Sequence, residues 1–259
     1  MSLRENESKL RRMFNAFPDI FFRSSVEGIV EEVSPSIEKI AGYKPEEVIG
    51  QPSISFYASE DDHEMIGEIL SEAHEVYDFD TRLKTKDGQL LFCSLSARLL
   101  FDESKRFIGT EGAIRDITDR KKSEEEIRKL SRSVEQSPAI VVITDLDANI
   151  QYVNPKFSLV TGYSSNEVIG KNPSLLKSGK TTGETYTALW QTIKAGKDWY
   201  GELLNKKKNG ELYWESAHIS PLKDEGGKLH FIGLKEDISE RKRMEQELLS
   251  AKLKARRIR

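Results

Sequence analysis

Asp237-Ile238-Ser239-Glu240-Arg241 repeats, with conservative changes, an earlier run, Asp116-Ile117-Thr118-Asp119-Arg120. The two copies lie 121 residues apart (237 minus 116). Each follows an apolar, strand-like stretch and precedes a charged, helix-prone one. An Asp where a strand hands over to a helix can accept hydrogen bonds from free N–H groups of the first turn and favour its positive end. The pentapeptide therefore reads as a joint between a folded domain and an outgoing helix. Asp116, Thr118, Arg120, Asp237, Ser239 and Arg241 are the residues expected to pass force, rather than chemistry, across it.

Outward from the joint, other landmarks return at nearly the same spacing. Gly42-Tyr43 with Glu47-Val48-Ile49-Gly50 recurs as Gly162-Tyr163 with Glu167-Val168-Ile169-Gly170, 120 residues on. Ser34-Pro35 recurs as Asn154-Pro155, also 120 on, and Lys86-Asp87-Gly88 as Lys208-Asn209-Gly210, 122 on. A period near 120 is a whole domain rather than a solenoid unit of about 20–50 residues. A chain of 259 residues accommodates two such domains.

Within each copy the periodicity predicts strand, strand, short helical pieces, then three strands. Residues 77–83 alternate apolar with polar, and Asp87-Gly88 marks a hairpin. Before the first of these strands an acidic loop with Asp61-Asp62 precedes an amphipathic helix through Met65, Ile66, Ile69 and Leu70. In the second copy a helix over 182–195 carries Tyr186, Leu189, Trp190 and Ile193. Three further helices show narrow apolar seams. One covers 3–17 and ends at Pro18; one, the connector, carries Ile127, Leu130 and Val134; the last carries Met244, Leu248, Ala251, Ala255 and Ile258. The partition is an N-terminal amphipathic helix at 1–17, a domain at 18–119, a linker helix at 120–137, a domain at 138–240 and a coiled-coil helix at 241–259. The fold class is α+β.

Composition narrows the function. A net charge of −3 gives no global attraction to nucleic acid or anionic membrane. The basic tail Lys252, Lys254, Arg256, Arg257 and Arg259 reads as a solvated helix face, without groove-reading residues for DNA. The single cysteine, Cys93, excludes an internal disulfide framework and suits a reducing, cytoplasmic setting. No apolar run reaches the roughly 18–20 residues of a membrane span, and Met1-Ser2-Leu3-Arg4 opens directly into charge, although a span could precede this segment in a longer parent. The four histidines, His63, His74, His218 and His230, do not sit in a phosphoacceptor setting, and no P-loop, paired-Cys site or cyclase signature is present. The chain reads as non-enzymatic.

The strand and helix order, with Ser-Pro or Asn-Pro after the second strand, a Gly-Tyr, a Lys-Asp-Gly hairpin and a closing Asp-Ile-Thr, resembles the PAS family over roughly 18–119 and 136–240. The resemblance implies a five-stranded antiparallel sheet with short helices on one face and a pocket between them, twice. It also implies the sensory region of a bacterial or archaeal signalling protein of the sensor histidine kinase, two-component type. A kinase or cyclase output would follow in cis, with a homodimer formed through the helical segments and a small-molecule ligand in a pocket.

The second domain is similar to flavin-binding relatives. Gly170-Lys171-Asn172-Pro173-Ser174-Leu175-Leu176 resembles the light-oxygen-voltage motif, with Pro173 where the photoreactive Cys would stand. Asn205 matches the first flavin-binding Asn of that family, while Glu215 and Lys235 replace the other two ring contacts. The run Trp199-Tyr200-Gly201-Glu202-Leu203-Leu204-Asn205 is similar to FAD domains of redox sensors. That resemblance implies FAD in the second domain, with Trp199 against the ring and Asn205, Glu202 and Asn172 at its polar edge. The alternatives are a small-ligand or empty pocket, in which Trp199 and Asn205 only shape a strand start, and a cofactor-free dimerisation scaffold. Haem would need an axial His near His74, which reads instead as a helix-end cap; Cys93 reads as a buried structural thiol. Most first-domain aromatics, such as Phe21, Phe56 and Phe79, read as core, with a minority lining a cavity.

Overall fold

The computed structural model describes residues 17–224 and 226–257. The helix predicted over 3–17 falls, except for Phe17, outside the described residues, as do the side chains of Ala255 and Ile258. Two compact units divide near residue 126.

In the first unit, β1 (Ile20–Ser24) and β2 (Val30–Val33) precede α1 (Ser36–Ala41), α2 (Pro45–Val48) and a 3-10 turn at Ser53–Phe56. Then follow α3 (Glu60–Ala73), β3 (Glu75–Lys84), β4 (Leu90–Phe101) and β5 (Phe107–Asp116). The sheet order is β2-β1-β5-β4-β3, every pairing antiparallel. Period-two alternation assigns the faces: Leu91, Cys93, Leu95 and Ala97 of β4 are buried in the core, whereas Phe92, Ser94 and Ser96 between them are more open. Helix α3 buries Ile66 and Leu70 against that core. Asp61 and Asp62, expected in a loop, belong to the first turn of α3 with Glu60. Three carboxylates there meet the positive end of the helix, so acidity favours helix at this point rather than loop.

α4 (Thr118–Glu135) leads into the second unit: β6 (Ile140–Thr144), β7 (Ile150–Val153), α5 (Pro155–Thr161), α6 (Ser165–Val168) and a 3-10 turn at Pro173–Leu176. Next come α7 (Gly183–Lys194), β8 (Trp199–Lys206), β9 (Leu212–Lys223), β10 (Leu229–Asp237) and α8 (Ser239–Arg257). The order β7-β6-β10-β9-β8 reproduces the first sheet. β9 continues through Pro221 to Lys223, and Pro221 still lies opposite Phe231 in the ladder.

The repeated landmarks have a common physical cause. Gly42 and Gly162 terminate α1 and α5 in the left-handed conformation, with φ of 77° and 78°. The hairpin lysine then docks on that turn: the Lys86 N–H donates to the Ala41 carbonyl and the Lys208 N–H to that of Thr161, each at 2.9 Å. Its ammonium reaches Glu47 in the first unit and Glu167 in the second. Glu47 also accepts from the Lys44 N–H at 2.8 Å, and Glu167 from that of Ser164 at 2.9 Å. One carboxylate thus ties the start of a short helix to the β3–β4 or β8–β9 hairpin, 39 or 41 residues away.

Candidate functional site: a polar cavity beside a strand-to-helix joint

The second unit encloses a cavity of about 120 Å³ between its sheet and α7, lined among others by Asn172, Tyr186, Trp190, Asn205 and Lys235. Its lining residue Lys235 belongs to a buried polar cluster that extends behind the cavity wall. Lys235 Nζ lies 2.9 Å from Glu215 Oε1, and the Tyr213 hydroxyl donates to Glu215 Oε2 at 3.1 Å. All three residues are buried, Glu215 completely. Burial, then the Glu215 carboxylate, raises the Tyr213 hydroxyl far above the ordinary phenol range, so it stays a donor. Equivalent ladder positions in the first unit hold Leu91, Cys93 and Ile114, as the corresponding pairings Cys93–Asp116 and Glu215–Asp237 show. The second unit has replaced part of an apolar core by a satisfied ion pair. Above it the Tyr186 hydroxyl is buried without a hydrogen-bond partner among the described residues, while Lys177 Nζ sits 4.0 Å over its ring. Such an orphaned buried hydroxyl marks a place for a further partner.

Of the four residues expected at a flavin, Asn172 and Asn205 line this cavity, and Trp199 and Glu202 do not. Trp199 is buried in the neighbouring core with Leu189, Ile193 and Leu203, and its indole lies across Gly201. A Cβ at 201 would fall 2.3 Å from a ring atom, so the Trp-x-Gly spacing is a packing requirement. The indole that faces the cavity is Trp190, which the sequence showed only as an apolar helix position. Glu202 pairs instead with Arg241 at 3.0 Å and Lys242 at 2.5 Å.

Those last contacts belong to the joint. Asp237 Oδ1 accepts from the Ser239 N–H at 2.9 Å, and Asp116 Oδ1 from that of Thr118 at 2.8 Å. Each Asp closes its strand rather than opening its helix, and still satisfies a first-turn donor. The next residue, Ile117 or Ile238, is buried and donates its N–H to the carbonyl of Phe92 or Trp214, both at 2.9 Å. The Thr118 hydroxyl accepts from the Phe92 N–H at 3.2 Å; the Ser239 hydroxyl accepts from that of Trp214 at 2.9 Å. One residue of β4 or β9 therefore holds the helix start by both of its backbone groups. The arginines are anchored too: Arg120 lies 3.6 Å and Lys121 2.6 Å from Asp80, matching Arg241 and Lys242 on Glu202. Asp80, Lys121 and Lys242 were missed in the sequence, although Asp80 and Glu202 recur at the offset of the hairpin lysines.

Other candidates resolve more simply. His218 Nε2 meets both Asp198 Oδ2 at 3.0 Å and Ser220 Oγ at 2.9 Å; hydrolytic relays need the acid and the hydroxyl on opposite ring nitrogens. His74 is the left-handed C-cap of α3, with its ring against Phe101. No cluster of His, Cys, Asp and Glu suited to a metal occurs among the described residues. Desolvation pushes the fully buried Cys93 thiol up to about 12, which leaves it an inert hydrophobe at neutral pH.

Two five-stranded sheets of identical order, each with its helices on one face, agree with comparisons to known families. A PAS domain profile matches residues 138–240, and a PAS fold profile matches residues 8–117. The chain belongs to the PAS family. Its two PAS domains stand in tandem. A nitrogen fixation regulatory protein of Klebsiella oxytoca is 39% identical over 116 residues, 44% of this chain and 23% of that protein. The bacterioopsin transcriptional activator of Halobacterium salinarum is 35% identical over 129 residues, 48% and 19% of the two chains. A blue-light-activated histidine kinase of Brucella anthropi is 33% identical over 119 residues, 44% and 24%. The chain spans at most a quarter of these relatives, which are regulators and a light-sensing kinase. Among the described residues no helix is long and apolar enough to cross a membrane.

Proposed function

We propose that this tandem PAS region senses a small ligand in the cavity of its second domain and passes the change through the Asp237–Ser239 joint into α8, toward an output module such as a histidine kinase. One observation carries the reading. Trp214, which holds the start of α8 by both backbone groups, lies between Tyr213 and Glu215 of the cavity's polar cluster. Lys235 stands two residues before Asp237 on the partner strand. A ligand that rearranges this cluster moves the strands that seat the helix, a local change with a distant readout. Paired α4 and α8 helices of two protomers would receive it, since both leave apolar seams open.

The test is Asp237→Ala in the full-length parent. Loss of the cap costs about 1 kcal/mol of stability and leaves a folded protein by circular dichroism, but the output no longer follows the stimulus. Stimulus-dependent output identical to that of the unaltered protein sinks the relay.

A flavin is a second reading, favoured by the Trp190 indole, the Asn172 and Asn205 amides and the unpartnered Tyr186 hydroxyl around one cavity. These groups suit a planar ring with a polar edge, and a bound flavin would supply redox chemistry. At about 120 Å³ the cavity is smaller than the roughly 300–1,000 Å³ of sites for drug-sized ligands, so Trp190 and Tyr186 would have to turn aside. Pro173 in place of a thiol excludes a light-driven cysteine adduct at that position. An ultraviolet–visible spectrum of the protein purified without added cofactor decides: flavin bands support a redox stimulus, and a featureless spectrum rejects the flavin in favour of a colourless ligand.

A further inference from the structure

The two domains receive the chain that enters them in different ways. In the second, Asn154 is fully buried and all four hydrogen-bonding positions of its amide are engaged. Its Oδ1 accepts from the Val141 N–H at 2.9 Å and from the Phe157 N–H at 3.2 Å, the latter capping α5. Its Nδ2 donates to the Ala139 carbonyl at 2.9 Å and to the Val134 carbonyl at 3.2 Å. Val134 lies in the last turn of α4, where carbonyls lack partners within the helix; it also accepts, more loosely, from the Ser137 N–H at 3.3 Å. One side chain thus joins the end of the incoming helix, the start of β6 and the start of α5.

The first domain fills the same place with two hydroxyls. Ser34 stands where Asn154 does, 120 residues earlier, and Ser36 where Lys156 does. The Ser34 hydroxyl accepts from the N–H of Phe21, the counterpart of Val141, at 2.9 Å. The Ser36 hydroxyl donates to the carbonyl of Asp19, the counterpart of Ala139, at 2.8 Å. The 2.6 Å contact between the two hydroxyls therefore uses the Ser34 proton. Both protons are occupied inside the domain. An amide carries a second N–H and a hydroxyl does not, and in the second domain that additional donor reaches back to α4.

We propose that Asn154 is the receiving end of α4, so that the first domain regulates the second in series rather than signalling beside it. The helix suits the task. It contains no Gly or Pro and spans about 27 Å over its 18 residues. Its first turn is seated on the first sheet by the Thr118 hydroxyl and by Arg120 and Lys121 on Asp80. Beyond Asn154 the contacts continue. α5 is a rod of seven residues, and the carbonyl at its end, that of Thr161, accepts from the Lys208 N–H at 2.9 Å. Lys208 lies in the hairpin between β8 and β9, the strands that carry Asn205 and Tyr213. A movement of α4 along its axis thus has a hydrogen-bonded route to the wall of the second cavity. Coupling of this kind is reciprocal, so a change in the second domain also bears on the first joint. Asn154 has this role whether or not the second cavity takes a ligand, and independently of the Asp237 joint.

The test is hydrogen exchange of the whole chain, read by mass spectrometry. Asp80→Ala releases the first turn of α4 inside the first domain. Expected is exchange at least about fivefold faster, the lower end of usual coupling between sites, in α5 and in the β8–β9 hairpin of the second domain. Asn154→Ser with Lys156→Ser transplants the hydroxyl pair: it keeps the bonds to Val141 and Ala139 and removes those to Phe157 and Val134. In that background Asp80→Ala should leave exchange in the second domain unchanged. A residue that only capped α5 would speed exchange in the second domain by itself and leave the response to Asp80→Ala intact. Asn154→Ser alone, which keeps an acceptor for Val141 and cannot reach Val134, takes the place of the pair if the pair does not fold. No response of the second domain to Asp80→Ala with Asn154 present, or an equal response after its replacement, overturns the proposal.

Discussion

The exchange of Leu91, Cys93 and Ile114 for Tyr213, Glu215 and Lys235 is a choice between two ways of filling one place in a core. The apolar solution needs no partners; the ionic one requires every member. Lys235→Met should destabilise the second domain by about 3–5 kcal/mol, because Glu215 would remain buried without its cation. The triple change Tyr213→Leu, Glu215→Cys and Lys235→Ile, which copies the first domain, should be neutral or stabilising while weakening the response to any polar ligand. Denaturant midpoints of the three proteins check this, and a Lys235→Met midpoint equal to that of the unaltered chain refutes it. At this scale the sequence was only partly legible. Asn172 and Asn205 could be matched to a known pattern and do line the cavity. Trp190 was hidden because its spacing with Tyr186, Leu189 and Ile193 is that of an ordinary buried helix face. Glu202 was misplaced because alternation along β8 turns it away from Leu203 and toward the joint, and the neighbouring Asn205 drew attention to the wrong surface.

Elements were more readable, since the repeat forces each landmark to explain two copies at once. The hairpin lysine and its glutamate form one such element. Lys208 first, then the Ser164 N–H and hydroxyl, hold Glu167 down to about 2, and Lys86 lowers Glu47 in the same way. Both carboxylates are more acidic folded than unfolded, so the stability they add is present above the unfolded pKa and is lost as pH falls through the folded one. For Glu167 that window runs from about pH 4.5 down to about pH 2. Lys208→Met should therefore lower the denaturant midpoint at pH 7 and converge with the unaltered protein near pH 2; a difference that does not change across that range speaks against the clip. The ends of elements were less legible. Asp61 and Asp62 read in the sequence as loop residues because acidity marks turns as often as it marks a helix N-terminus, and only the position of Ile66 and Leu70 on the core distinguishes the two.

Across the molecule, two domains of one topology differ in what lines their cavities: Lys235 and two asparagines in the second, and no charged side chain beside Gly67 in the first. The order of strands and helices was legible in periodicity and turn residues, and the sheet followed from the family resemblance that this order carries; cavity character was not legible, because it depends on which side chains meet across separate elements. α4 exposes Ile127 and Leu130, and α8 exposes Met244, Leu248 and Leu253, amid charged neighbours. Leaving two such seams in water is unfavourable. Light scattering of the whole chain at high micromolar concentration should give a dimer mass, and Leu248→Glu with Leu130→Glu should reduce it to the monomer. A strictly monomeric unaltered chain removes the paired-helix route for the signal.

The joint has a consequence for how such chains are assembled. Its backbone grip on the helix uses the carbonyl and amide of Phe92 or Trp214, which every amino acid but proline supplies, and asks of the sequence an Asp, a buried Ile, a hydroxyl and two cations that meet one strand carboxylate. Such a coupling is indifferent to what lies on either side of it. If the joint relays a signal as proposed, a domain can be exchanged before it or after it without redesigning the coupling.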